Sequence, residues 1–178
     1  MKTKIALAEA QKISAEIIEL LASYCERIEV AGSVRRKKAE VGDLEIVCIP
    51  RRLLNLFGEP GDSVLDHRLI ELVQSGHLLP AGANGDKYKK FIVHPSGIQL
   101  DLFITTPEQW GVIFTIRTGS ADFSHRLVTQ RFKGGLLPGD LRVGEGRVWR
   151  GLEALNTPEE IDFFNVIELR YIKPEARS

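Results

Sequence analysis

The chain has 178 residues, 43% of them hydrophobic and 27% charged, which is a foldable composition and room for one ordinary domain or two small subdomains. Lys plus Arg and Asp plus Glu stand at 24 each, so no global basic field draws the protein to nucleic acid or acidic lipid, and any polyanion site must be local. No apolar run reaches membrane-helix length, the opening MKTKIALAEAQK lacks a secretory h-region, and Cys25 and Cys48 are too few for a disulfide framework; a cytoplasmic monomer with core thiols and no membrane contact is expected.

Ile13, Ile17, Leu20, Leu21 and Tyr24 recur at helical spacing, which predicts an amphipathic helix over roughly Thr3 to Glu26. RIEVAG and DLEIVCI then read as strands, with a Gly32-Ser33 turn and the basic run RRKK between them. GEPGDS breaks the chain before a helix from about Val64 to Gln74 with Leu65, Leu69, Leu72 and Val73 on its apolar side. KYKKFIVH and IQLDLFIT on either side of PSG predict a β-hairpin. Thr106, Pro107 and Gln109 read as the capped start of a short helix, and Ser120 as the cap of another that ends before Gly134-Gly135. The alternating, Gly-rich text from Leu136 to Leu155 predicts short antiparallel strands, and Thr157-Pro158 with Glu160 a last helix through about Leu169. Strands dominate before Thr106 and short helices after it, so the expected subdomains are 1–105 and 106–178.

The acids carry the first functional hint. Side chains two apart on a strand share a face, so Asp43 and Glu45 point one way, and in the later strand Gln99, Asp101 and Phe103 do the same. If the two strands are neighbours, three carboxylates converge, a costly arrangement unless divalent cations, which prefer oxygen ligands, sit among them. The bland alternative is a solvated strand face with acids paired to Lys or Arg. Gly32 and Ser33, followed by Arg35 and Arg36, make a small-residue turn with exposed N–H groups and cations that suits a phosphate. Lys37 and Lys38 read as an exposed loop.

These residues resemble the nucleotidyltransferase pattern: Gly-Ser, a spacer of nine residues, acid-apolar-acid, and a third acid on a later strand, here Gly32-Ser33, Asp43-Leu44-Glu45 and Asp101. The more specific resemblance is to family X DNA polymerases, the group of DNA polymerase beta. GSVRRKKAEVGD, QLDLFIT, RTGSADF and the C-terminal TPEEIDFFNVIELRYIKPEAR, with Tyr171, Pro174 and Arg177, are each similar to one of that family's motifs. The resemblance implies an α+β nucleotidyltransferase fold, with a mixed or antiparallel palm sheet and helices followed by a small α/β nucleotide-binding subdomain. Only about thirty residues precede Gly32, so a minimal form without the family's lyase and DNA-gripping regions is expected.

The same resemblance implies the roles. Asp43 and Glu45 would bridge two Mg²⁺ or Mn²⁺ ions and Asp101 would bind the catalytic one and accept a proton. Gly32, Ser33 and Arg36 would hold the triphosphate of a nucleoside triphosphate. Thr118-Gly119-Ser120 would lie under the sugar, with a cis Gly-Ser bond. Ile116-Arg117 stands where the polymerases carry an aromatic pair, so weak discrimination between ribose and deoxyribose is expected, with Arg117 near the sugar or a phosphate. Phe123 would stack near the base or belong to the core. Arg126, Arg131 and Lys133 would touch template backbone or form a solvated face, and Lys87, Lys89 and Lys90 are weaker candidates for primer or triphosphate. The function implied is metal-dependent nucleotide addition to a DNA 3′-hydroxyl in gap filling and repair, with DNA ahead of RNA as the partner. RNA ends, a protein hydroxyl or a small molecule are the alternative acceptors, and a catalytically weak nucleotide- or DNA-binding protein is the third possibility.

Overall fold

The computed structural model describes residues 3–54 and 60–178. It is an α+β protein whose backbone gathers into two compact units, one of Met1–Val30 with Lys38–Ile104 and the other of Ala31–Lys37 with Thr105–Ser178. Among the described residues no helix is long and apolar enough to cross a membrane.

The first unit opens with β1 (Ile5–Ala6) and α1 (Leu7–Leu21), followed by a 3-10 turn at Ala22–Tyr24 and β2 (Cys25–Val30). The helix is therefore shorter at both ends than its periodicity predicts. At its start, Ile5 and Ala6 pair with Val41 and Glu40, and the Leu7 N–H donates to the Ala39 carbonyl, so strand pairing takes the backbone before the helix can. At its end, Cys25 is drawn into register with Pro50. After β2 the chain passes through Ala31–Lys37, which carries the one-turn helix α2 (Gly32–Arg35) of the second unit. It returns as β3 (Glu40–Val41), β4 (Asp43–Pro50), β5 (Arg52–Leu54), β6 (Pro60–Ser63) and α3 (Val64–Gln74). The first residues of the GEPGDS break, Gly58 and Glu59, lie outside the described residues. Strands β7 (Leu78–Asn84), β8 (Tyr88–Val93) and β9 (Ile98–Ile104) complete this unit.

A five-stranded mixed sheet runs in the order β2-β4-β9-β8-β7, and only the β4–β9 pairing is parallel. Leu44, Ile46, Leu100 and Leu102 are fully buried on one face of the two central strands. The apolar sides of α1 (Ile13, Ile17, Leu21) and α3 (Leu65, Leu69, Leu72) are likewise buried, with α1 against β2 and β4 and α3 against β7. Removing such side chains from water is the main driving force for this unit.

The second unit contains α4 (Trp110–Thr118), α5 (Ala121–Val128), the meander β10 (Leu141–Gly144), β11 (Arg147–Arg150) and β12 (Glu153–Leu155), and α6 (Glu160–Val166). Its core is Val112, Phe123, Leu127, Leu137, Leu141, Val148, Phe163, Phe164 and Ile167. Ser120 caps α5 as expected, its Oγ accepting from the Phe123 N–H at 3.2 Å. The other two caps differ from expectation. Thr106 makes no capping bond to the backbone, and Gln109 donates instead to the Glu145 carbonyl. Glu159, not Thr157, caps α6 in a reciprocal box with Asp162, while Glu160 is engaged by Arg35 and Arg177.

Gly111 is where α4 passes closest to the chain entering α6: its N–H donates to the Thr157 carbonyl, and a Cβ here would be driven into the carbonyl oxygens of Thr157 and Glu159. Helix propensity alone favours alanine over glycine by roughly 0.5–1 kcal/mol, whereas overpacking against backbone costs about 1–3 kcal/mol. Gly111→Ala is therefore expected to destabilise the protein, read as a lower denaturant midpoint at unchanged slope; a raised midpoint would show that the two segments separate freely.

Candidate functional site

In the first unit, the parallel register sets Asp43 opposite Gln99 and Glu45 opposite Asp101. Paired residues in a ladder project to the same face, and neighbouring strands lie about 4.8 Å apart. The backbone thus gathers the three acids on one patch, opposite the face bearing Leu44, Ile46, Leu100 and Leu102. Antiparallel β8 adds Tyr88 opposite Phe103 and Lys90 opposite Asp101.

Asp101 is the most enclosed of the three, with 8% of its surface exposed, while Asp43 and Glu45 are half-buried. Its carboxylate accepts from the Gln99 carboxamide at 2.9 Å (Oδ1) and 2.8 Å (Oδ2), and from the Tyr88 hydroxyl at 2.7 Å (Oδ1). Neither partner was singled out in the sequence for this role. Gln99 was legible as a same-face neighbour of Asp101, but Tyr88 required the hairpin register.

Three hard carboxylate oxygens on adjacent strands are a donor set that fits Mg²⁺ or Mn²⁺. Among the described residues, however, no three His, Cys, Asp or Glu side chains are gathered closely enough to hold a metal ion. The backbone positions are adjacent, and enclosing an ion requires the side chains to turn toward one another. His67, His77, His94 and His125 contribute nothing to such a group.

In the second unit, Gly32 has φ +58°, a left-handed conformation that suits glycine, and it opens α2. Ser33 Oγ is buried with no hydrogen-bond partner among the described residues. A buried hydroxyl without a partner is unfavourable, and a phosphate oxygen is one group that could accept from it. Arg36 Nη1 donates to the Thr118 carbonyl at 2.6 Å, which brings the basic turn and the Thr118-Gly119-Ser120 turn together. Gly119 leaves no room for a Cβ, which would press on Ser124 Oγ and the Phe123 ring.

The Gly119–Ser120 peptide is trans, in contrast to the cis bond implied by the family resemblance; the only cis bond among the described residues is His94–Pro95. The trans form already satisfies both N–H groups, Gly119 donating to the Thr115 carbonyl and Ser120 to that of Arg177. Arg117 is half-buried at the end of α4. Phe123 is 7% exposed and packs in the apolar core. Arg126 and Lys133 are exposed, whereas Arg131 is tied to Glu168 at 2.9 Å and to the Ile167 carbonyl at 3.0 Å. In the first unit Lys87 is exposed, and Lys89 is buried and bound to Asp66 (3.1 Å) and Asn84 (3.2 Å). A cavity of about 380 Å³ between α3 and the β7–β8 edge is lined by Leu69, Val73, Phe91 and Lys89 among others, and by none of the three acids.

The second unit is organised around a carboxylate whose local sequence signals only a helix start. Glu160 accepts from both terminal nitrogens of Arg35, at 2.8 and 2.7 Å, from Arg177 Nη1, and from Thr115 and Tyr171 at 3.3 Å. Arg35 also donates to Thr118 Oγ1 at 2.7 Å and lies over the Phe114 ring. Arg177, fully buried, is flanked by Phe164 and Tyr171. The second cation of the RRKK run is thus beside the turn, while the first is spent on a part-buried ion pair. No protein-family model matches the chain, and no curated protein does so either.

Burial pushes the Glu160 carboxyl up, but hydrogen bonds and charge from Arg35 and Arg177 together outweigh it and hold the group below its ordinary value of 4.5. A lowered folded-state value means that the contribution to stability is present in full above the ordinary value and is lost as pH falls through the lowered one. Glu160→Gln leaves the buried Arg177 and the half-buried Arg35 without a counter-charge, so it is expected to cost about 3 kcal/mol at neutral pH. Urea denaturation across pH 3–7 checks it: the gap between variant and wild type should narrow as the pH drops.

Proposed function

We propose that this protein is a metal-dependent nucleotidyltransferase of the family X polymerase kind, with a nucleotidyltransferase-fold first unit and a nucleotide-binding second unit, adding nucleotides to a DNA 3′-hydroxyl. The observation that carries the reading is the parallel β4–β9 register, which sets Glu45 level with Asp101 and Asp43 two residues away on the same face. Acid-x-acid on one strand is a weak signal, and a third acid in register on the adjacent strand is a much more specific one.

In this reaction the 3′-oxygen forms a bond to the α-phosphorus of a nucleoside triphosphate, the bond from that phosphorus to the bridging oxygen breaks, and pyrophosphate leaves. When bound, two Mg²⁺ or Mn²⁺ ions supply Lewis-acid activation of the hydroxyl and neutralise charge on the phosphates. Asp43, Glu45 and Asp101 would hold these ions. The hydroxyl proton passes to water. Ser33 donates its unpaired Oγ to a phosphate oxygen, and Arg36 lends positive charge beside Thr118-Gly119-Ser120. Catalysis is then positioning and charge stabilisation, as in phosphoryl transfer generally.

The equal numbers of acidic and basic residues favour a second reading with the same chemistry and a different acceptor, because duplex affinity draws on many phosphate contacts. Labelled nucleotides offered with gapped DNA, single-stranded DNA and RNA in Mg²⁺ or Mn²⁺ separate the two. Asp101→Asn is expected to abolish transfer on every acceptor, at least 100-fold on the scale of lost charge stabilisation, while triphosphate binding persists. Turnover retained in that variant would remove the metal reading. Glu45→Asp is expected to retain transfer with a changed ratio of Mg²⁺ to Mn²⁺ activity; an unchanged ratio places Glu45 outside the metal-bridging set.

A further inference from the structure

Building on the metal reading above, we propose that Gln99 and Tyr88 are positioning residues for Asp101, and that together they leave its carboxylate a single oxygen, Oδ2, with which to bind a divalent cation. A carboxylate offers about four acceptor directions, two on each oxygen. Tyr88 and Gln99 take both on Oδ1, and Gln99 takes one of the two on Oδ2. Because the Gln99 nitrogen sits between the two oxygens, it fills the place in which one ion could be gripped by both. Asp101 is thereby restricted to one-oxygen binding.

The two donors are themselves held. Gln99 is two residues upstream on the same strand and so shares the face of Asp101. Tyr88 stacks on its cross-strand partner Phe103, with ring centroids 5.1 Å apart and planes inclined by 15°, which aims its hydroxyl along the face. Both partners are uncharged, so they orient the carboxylate without cancelling the charge that attracts a cation. A Lys or Arg in either place would orient it and weaken it together. Outer partners of this kind commonly change metal affinity or activity by about 10–100-fold when removed.

The test is titration of the whole chain with Mn²⁺ alone, with free Mn²⁺ followed by electron paramagnetic resonance, for wild type, Asp101→Asn, Gln99→Met and Tyr88→Phe. Met keeps the length of Gln without its donor, and Phe keeps the stacked ring without its hydroxyl. A packing role would therefore leave affinity unchanged. The expected result is Mn²⁺ affinity lowered about 10-fold in each of these two variants, with kcat for nucleotide transfer lowered, KM for the nucleotide unchanged and melting temperature retained. Affinity equal to wild type in both, while Asp101→Asn loses it, overturns this proposal and leaves the metal reading standing. Wild type that binds no Mn²⁺, or Asp101→Asn that binds it as well as wild type, overturns both. If Gln99→Met melts early, the Tyr88→Phe affinity decides, since that change deletes one oxygen and keeps the stack.

Discussion

Parallel pairing of β4 with β9 is the constraint that gathers Asp43, Glu45 and Asp101 on one face. A strand has a side-chain period of two, so slipping the register by one residue would send Asp101 to the buried face and set Leu100 or Leu102 among the acids. The slip is prevented by burial: Leu44, Ile46, Leu100 and Leu102 have no exposed surface, and turning any of them outward while burying a carboxylate is opposed twice over. The apolar residues of these strands therefore hold the acids in place. Parallel neighbours need a long crossover, and here it runs through α3, β7 and β8. That detour also delivers Tyr88 and Lys90 to the acid face.

The second unit meets a similar difficulty by charge rather than by register. A buried carboxylate is unfavourable alone and a fully buried guanidinium equally so, yet Glu160 and Arg177 are kept together with Arg35, and five donors converge on the two oxygens of Glu160. Replacing such a group by apolar residues is often neutral in stability. Here it ties together Arg35 on α2, Thr118 at the end of α4 and Glu160 at the start of α6. The Thr118-Gly119-Ser120 turn is held by this arrangement, through Arg35 on the Thr118 hydroxyl and Arg36 on its carbonyl.

Strands β2, β4, β8, β9 and the β10–β12 meander, and most helices, were legible because their signals are local, whereas the edge strand β7 and the short strands β1, β3, β5 and β6, in text without alternation, were not. Alternation in DLEIVCIP and IQLDLFI, the PSG turn, the Ser120 cap and the meander between Leu141 and Leu155 each arise from residues close in sequence. Acids on a shared face were legible for the same reason. The first helix was overestimated because Ile5 and Ala6 fit a helix as well as a strand, and Glu40 and Val41, far along the chain, decide between them. Glu160 was read as part of a helix start since an acid after Thr-Pro has that local meaning; its arginine partners lie 17 and 125 residues away. The Gly-Ser peptide was assigned by analogy, and the hydrogen bonds to the Thr115 and Arg177 carbonyls are satisfied without it being cis. Local patterns thus identified the elements and their faces, while hydrogen-bonded partners distant in sequence were invisible.

The second unit is discontinuous in sequence, since it takes Ala31–Lys37 from within the first. During synthesis Arg35 leaves the ribosome 125 residues ahead of Glu160, so for most of translation the cation that closes the α2–α4–α6 arrangement has no counter-ion. Strand β2 before that segment and β4, which follows it after the short β3, pair with each other as neighbours, and their pairing can form early and hold the loop out for its later partners. The final arrangement of the turn at Gly32-Ser33 is therefore completed late, when α6 arrives. A turn assembled in this order is absent from a partly made chain, and its contacts belong only to the completed second unit.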